Sequence, residues 1–259
     1  MNAGIKLKMS EFLVVLAALI LMFAAAGFFI HKRQVSSNDF NWSSYKEIRK
    51  NLFVEPDTSQ KDRKMIVAMV SQAKKRVEDL FGERASNPII IITKNPKFGK
   101  RFGMKNNTGV TQNTLAGSYV VIGTKGLLVD IIAHELVHAE LTYRIGGFSG
   151  ISIPIWFQDG LADQVDLTPM FSDKAWVKWT RNGKKTVKMT ELETTKQFYV
   201  NDYDERTYNY VVATHEVRVW MRSVGQKGLL KLISEVQSGE NFYKAYEKIE
   251  AEYKNNAQH

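Results

Sequence analysis

The sequence predicts an α+β domain behind an N-terminal membrane helix, on three observations. Two short β-branched runs, 88–93 (PIIIIT) and 118–122 (SYVVI), read as buried strands. Apolar patterns of helical spacing dominate the chain after residue 126, and strands succeeded by helices indicate α+β rather than alternating βαβ units. Ahead of both, Phe12–Ile30 is a run of 19 residues without a charge. At ~1.5 Å per residue a helix of that length covers about 28 Å, close to the hydrocarbon thickness of a bilayer.

Residues 1–33 form a membrane anchor or a signal segment. Lys6 and Lys8 precede the apolar run, and Lys32 and Arg33 come after it. Small residues at Ala24–Ala26 offer a cleavage site, but the run continues through Phe28, Phe29 and Ile30, which favours the anchor. Basic residues at both ends leave the orientation unset. Residues 34–57 read as a polar juxtamembrane linker with one short helix over 42–53. Over 59–81, Ile66, Met69, Val70, Ala73, Val77, Leu80 and Phe81 recur at helical spacing, and Gly82 supplies the stop. Residues 95–117, rich in Gly, Asn, Thr and Lys, read as a long irregular loop. Helices are expected at 127–145, closed by Gly146-Gly147, and at 154–165, opened by Pro154. Further helices are expected at 168–180, 207–224, 226–237 and 240–252.

Composition narrows the function. With 44% apolar and 24% charged residues the chain is globular, not disordered or collagen-like. The absence of cysteine excludes disulfide scaffolds, thiol catalysis, iron–sulfur clusters and cysteine-ligated zinc. The formal charge is +9, and +6 remains on the chain after residue 34, with basic clusters at 94–105 and 174–188. Such a domain suits a surface of anionic headgroups. No nucleic-acid recognition motif accompanies the lysines, so nucleic acid is not an expected partner.

Only five histidines are present, and two of them stand in His134-Glu135-Leu136-Val137-His138 within an expected helix. This is H-E-x-x-H. Residues i and i+4 share a helix face, so both imidazoles can aim at one metal ion, with Glu135 beside it as a general base. A third protein ligand is then required. The pattern that continues with glycine and a third histidine is excluded, because Leu141 and Arg144 stand there. The next candidate is Asp159, in the helix carrying Trp156-Phe157-Gln158-Asp159-Gly160-Leu161-Ala162-Asp163.

HELVH followed by WFQDGLAD resembles the gluzincin zinc metallopeptidases, most closely the bacterial peptidase-MA-like domain proteins. The resemblance covers roughly 60–250 and implies a metallopeptidase domain over 58–255, with a small mixed sheet packed on the zinc helix and a mainly helical C-terminal half. It implies Zn²⁺ held by His134, His138 and Asp159, with peptide or protein as substrate. In that family the third ligand is Glu. Aspartate is one methylene shorter, so the second helix must approach more closely; aspzincins do use an aspartate ligand. Asp163, four residues on, is expected to orient a zinc-binding histidine by accepting its second N–H. Residues 116–121 correspond to the family's edge strand, which pairs with extended substrate. Tyr210 is the first choice for oxyanion stabilisation, ahead of Tyr208 and His215. Asp130 reads as a favourable acid near a helix N-terminus.

The expected function is therefore a single-pass, inner-membrane bacterial zinc peptidase with an extracytoplasmic catalytic domain. The alternative is a catalytically weak or inactive metallopeptidase-like scaffold, which the short Asp159 ligand favours.

Overall fold

The computed structural model describes residues 44–114, 117–147 and 153–256. The expected anchor or signal segment (1–33) lies outside the described residues; among those described, no helix is long and apolar enough to cross a membrane.

The fold is α+β. Five strands, β1 (Lys46–Arg49), β2 (Leu52–Val54), β3 (Ile89–Ile92), β4 (Gly109–Thr114) and β5 (Gly117–Ile122), form one mixed sheet in the order β1-β2-β3-β5-β4. The central strands β2, β3 and β5 are mutually parallel, and the outer strands pair antiparallel to them. Leu52, Val54, Ile90, Ile91, Val120, Val121 and Ile122 are all buried, which is why these strands read as continuous apolar runs. The outer strands KEIR and GVTQNT are polar, as sheet edges require.

Two expectations fail here. Residues 46–54 are a hairpin rather than part of a 42–53 helix. Asn51, in the left-handed region at φ 61°, makes the turn, and its N–H donates to Glu47 Oε1 at 2.8 Å. The segment 95–117 is not one loop. It holds the short helix α2 (Pro96–Arg101), capped by the Asn95 side chain, and then β4. Pairing with β5 supplies what the strand's own composition lacks. As a result β5 (Gly117–Ile122) lies inside the sheet, and among the described residues β4 is the outer strand on that side.

The expected helix at 59–81 is α1 (Gln60–Phe81). Ser59 caps it, accepting from Asp62 N–H at 3.1 Å, and Ile66, Val70, Ala73, Val77 and Phe81 face the core. It packs on α3 (Val129–Arg144), which also lies against β4 and β5. Next come α4 (Ile155–Ala162), α5 (Asp173–Trp179), α6 (Thr195–Phe198), α7 (Tyr203–Gln237) and α8 (Phe242–Asn256). The separation expected between 224 and 226 is present as a kink in α7, where Gly225 adopts φ 63° and ψ −170°.

The position of α4 matters most for function. Trp156 and Phe157 plug it into an aromatic cluster. The Phe157 ring lies 5.0 Å from Phe242 and 5.9 Å from Trp220, and Trp156 lies 5.8 Å from Tyr246, all near edge-to-face. Gly160 then allows α4 and α7 to touch, because a Cβ there would sit 2.6 Å from the Ala213 carbonyl oxygen. This contact fixes where α4, and with it Asp159, sits against α7.

Candidate metal centre

His134 and His138 stand one turn apart on α3, with ring centroids 4.8 Å apart. Their Nε2 atoms are 3.1 Å apart, and Asp159 Oδ1, brought from α4, lies 3.8 Å from the first and 4.0 Å from the second. The point equidistant from these three atoms is about 2.1 Å from each, within the ~2.0–2.2 Å of zinc–nitrogen and zinc–carboxylate bonds. Two imidazoles and a carboxylate at that separation fit a divalent metal ion. The Asp159 side chain is only 2% exposed, whereas the histidines are 14% and 18% exposed, so the group opens to solvent on the imidazole side.

Two of the three groups, His134 and Asp159, are held by a further side chain. Asp163 Oδ1 lies 2.9 Å from His134 Nδ1, and its Oδ2 accepts from the Thr214 hydroxyl at 2.7 Å. The hydrogen bond fixes the imidazole's orientation, leaving Nε2 facing His138 and Asp159, where a metal ion could bind. The charges of the site show in the imidazoles. Burial opposes a proton on His134, but the hydrogen bond and charge of Asp163, with Glu135 and Asp159, raise its pKa to about 9. Burial and the neighbouring His134 hold His138 below its ordinary value. Burial pushes Asp159 up, against the pull of the two imidazoles and of the Tyr199 hydrogen bond.

Glu135 projects toward the sheet. The Thr111 hydroxyl on β4 lies 2.8 Å from Glu135 Oε2 and 2.7 Å from its backbone carbonyl oxygen. Two residues earlier on the same face of the strand, Gly109 leaves the space that Glu135 fills. A Cβ there would lie 2.9 Å from both Cγ and Oε1 of Glu135. The edge strand and the general-base candidate are thus in direct contact.

Tyr210 lies beside Asp159, packed on Phe198 at 5.0 Å, and burial together with the Asp159 carboxylate pushes its hydroxyl pKa well up. Its two runners-up point elsewhere. Tyr208 donates to the Lys185 carbonyl at 3.0 Å, and His215 stacks on Trp176 at 4.1 Å, facing Asp173. Asp130 is a cross-element tie: it pairs with Arg76 at 2.6 Å and accepts from Leu167 N–H at 3.0 Å.

Sequence reasoning does not single out Thr111, Gly109, Thr214 or Tyr199. Tyr199 donates its hydroxyl to Asp159 Oδ2 at 2.6 Å across 40 residues of chain. No local pattern encodes that contact; the only hint is an aromatic pair, Phe198-Tyr199, set in a polar stretch.

No protein-family model matches the chain, and no curated protein matches it.

Proposed function

We propose that the protein is a zinc-dependent peptidase of the gluzincin kind, held at a membrane by its N-terminal apolar segment. The observation that carries the reading is the convergence of His134, His138 and Asp159 within bonding reach of one ion, with Glu135 against β4, the last strand of the sheet among the described residues. A zinc ion bound by these three would supply Lewis acidity and bring the pKa of a coordinated water toward 7.

The chain's own residues account for the remainder. An extended peptide adds to the terminal strand β4, so backbone pairing rather than a deep pocket aligns the scissile bond. Thr111 holds Glu135 Oε2, and Oε1 faces Gly109 on that strand. From there Glu135 takes the proton of the attacking water and returns it to the departing amine nitrogen, so no net charge accumulates on the protein. Asp163 and Thr214 keep the His134 ring from rotating. Tyr210, whose hydroxyl also hydrogen-bonds Asp159, is the candidate donor to the oxyanion once it turns from that carboxylate.

The test compares peptide cleavage by the full chain with that of Glu135→Gln at equal zinc content. The reading predicts a loss of ~10²-fold or more in kcat with zinc retained. Cleavage that survives the substitution contradicts the mechanism. Bound zinc without cleavage in the wild type supports the scaffold alternative.

A further inference from the structure

Asp159 faces a geometric problem that the usual glutamate does not. Its carboxylate sits on a short stem, and α4 is clamped in place by Trp156, Phe157 and Gly160. Little freedom remains to adjust the carboxylate once the helix is docked. Its two oxygens are also treated differently. Oδ1 faces both histidines, whereas Oδ2 accepts the Tyr199 hydroxyl at 2.6 Å.

Tyr199 is delivered by a stiff piece of chain. Thr194 and Gln197 close a reciprocal capping box on α6, and Tyr199 N–H donates to the Thr195 carbonyl at 3.0 Å. The Asn209 side-chain amide on α7 donates to the Phe198 carbonyl at 3.0 Å, tying this turn to the helix that carries Tyr210. The Tyr199 ring packs edge-on against Phe198 at 5.1 Å. A hydroxyl held this firmly fixes the plane of the carboxylate it bonds.

We propose that Tyr199 is the positioning residue of the metal centre: by holding Oδ2 it makes Asp159 present one oxygen, Oδ1, to the ion, and so compensates for the missing methylene. The inference rests on the metal-centre reading. Because its hydroxyl hydrogen is already committed to Asp159, Tyr199 positions a ligand and does not itself touch the substrate. The two residues form a matched pair. A glutamate at 159 would carry its carboxylate about 1.5 Å further, into either the Tyr199 hydroxyl or the ion position. Restoring the family's usual ligand alone therefore weakens the site.

The experiment uses the full chain and zinc alone, in competition with a chelator, on wild type, Tyr199→Phe, Asp159→Glu and the double variant, with fold read by near-ultraviolet circular dichroism. Tyr199→Phe is expected to weaken zinc binding by ~10- to 100-fold, the usual effect of losing a hydrogen bond that orients a ligand. Asp159→Glu is expected to bind more weakly than wild type, and the double variant to recover part of that loss, a non-additive cycle. Cobalt(II) in place of zinc provides a spectroscopic check. Wild type should show the intense visible band of four-coordinate cobalt, and Tyr199→Phe the weaker band of higher coordination as both carboxylate oxygens bind. Wild-type zinc affinity in Tyr199→Phe with an unchanged cobalt spectrum overturns the inference and leaves the metal centre standing. Failure of the wild type to bind zinc removes both. If Tyr199→Phe does not fold, the wild-type cobalt band decides: a weak band overturns the proposal.

Discussion

Asp163 reaches back from the end of α4 to place its Oδ1 2.9 Å from Nδ1 of His134 on α3. That contact joins the two helices that carry the candidate metal ligands. Asp159 and Asp163 lie on one face of α4 and its following turn; the first faces the ion position, and the second grips the ring opposite it. Thr214 on α7 completes the chain by donating to Asp163 Oδ2 at 2.7 Å.

Replacing Asp163 with Ala leaves the His134 Nδ1 and the Thr214 hydroxyl without this partner. Zinc affinity is expected to fall ~10- to 100-fold, and the metal-free fold to lose about 1–3 kcal/mol. Chelator competition and urea denaturation read the two effects separately. Unchanged zinc affinity would show that the His134 ring needs no such support.

Gly109→Ala tests the contact between the edge strand and Glu135. The new methyl would meet Glu135 Cγ and Oε1 at 2.9 Å and Ile131 Cγ2 at 3.0 Å, so the carboxylate must shift. A misplacement of about 1 Å at a reacting group costs ~10²-fold, so kcat should drop by that order while zinc binding is preserved. A variant with normal turnover would place the working carboxylate elsewhere.

Zinc binding should depend on pH in a defined direction. With His134 raised to about 9 and His138 held low, the metal-free pair carries one proton at neutral pH. Zinc requires both rings neutral, so binding releases that proton. Affinity should rise about tenfold per pH unit from neutrality and level off above the His134 pKa of about 9. The metal-free fold runs the opposite way. The stabilisation that protonated His134 provides is complete below its unfolded value of about 6.5 and is lost as pH rises through about 9. Calorimetric titration in buffers of different ionisation enthalpy measures the released proton; a release near zero at neutral pH would contradict this assignment.

How much of the molecule is legible in the sequence depends on how local each signal is. The HELVH helix and the WFQDGLAD helix after it are each encoded within eight residues, so His134, Glu135, His138, Asp159 and Asp163 can all be named without the fold. The apolar runs of β3 and β5 are equally readable, because buried parallel strands must be apolar throughout. The edge strand β4 is not. Its Gly109, Thr111 and Asn113 resemble loop residues, and only the pairing of its six residues with β5 makes them a strand. The hairpin of β1 and β2 escapes for the same reason, as strands of four and three residues around Asn51. Tyr199 and Thr214 reach their partners across 40 and 51 residues, and no spacing rule spans such distances.

The central claim is that three side chains from two helices share one ion, and the most direct measurement is elemental analysis of the purified full chain after equilibration with zinc and dialysis. The account predicts close to one zinc per chain in the wild type, and loss of that zinc in both His138→Ala and Asp159→Ala while the fold persists. A wild-type chain that retains no metal, or an Asp159→Ala chain that retains as much as the wild type, would contradict it.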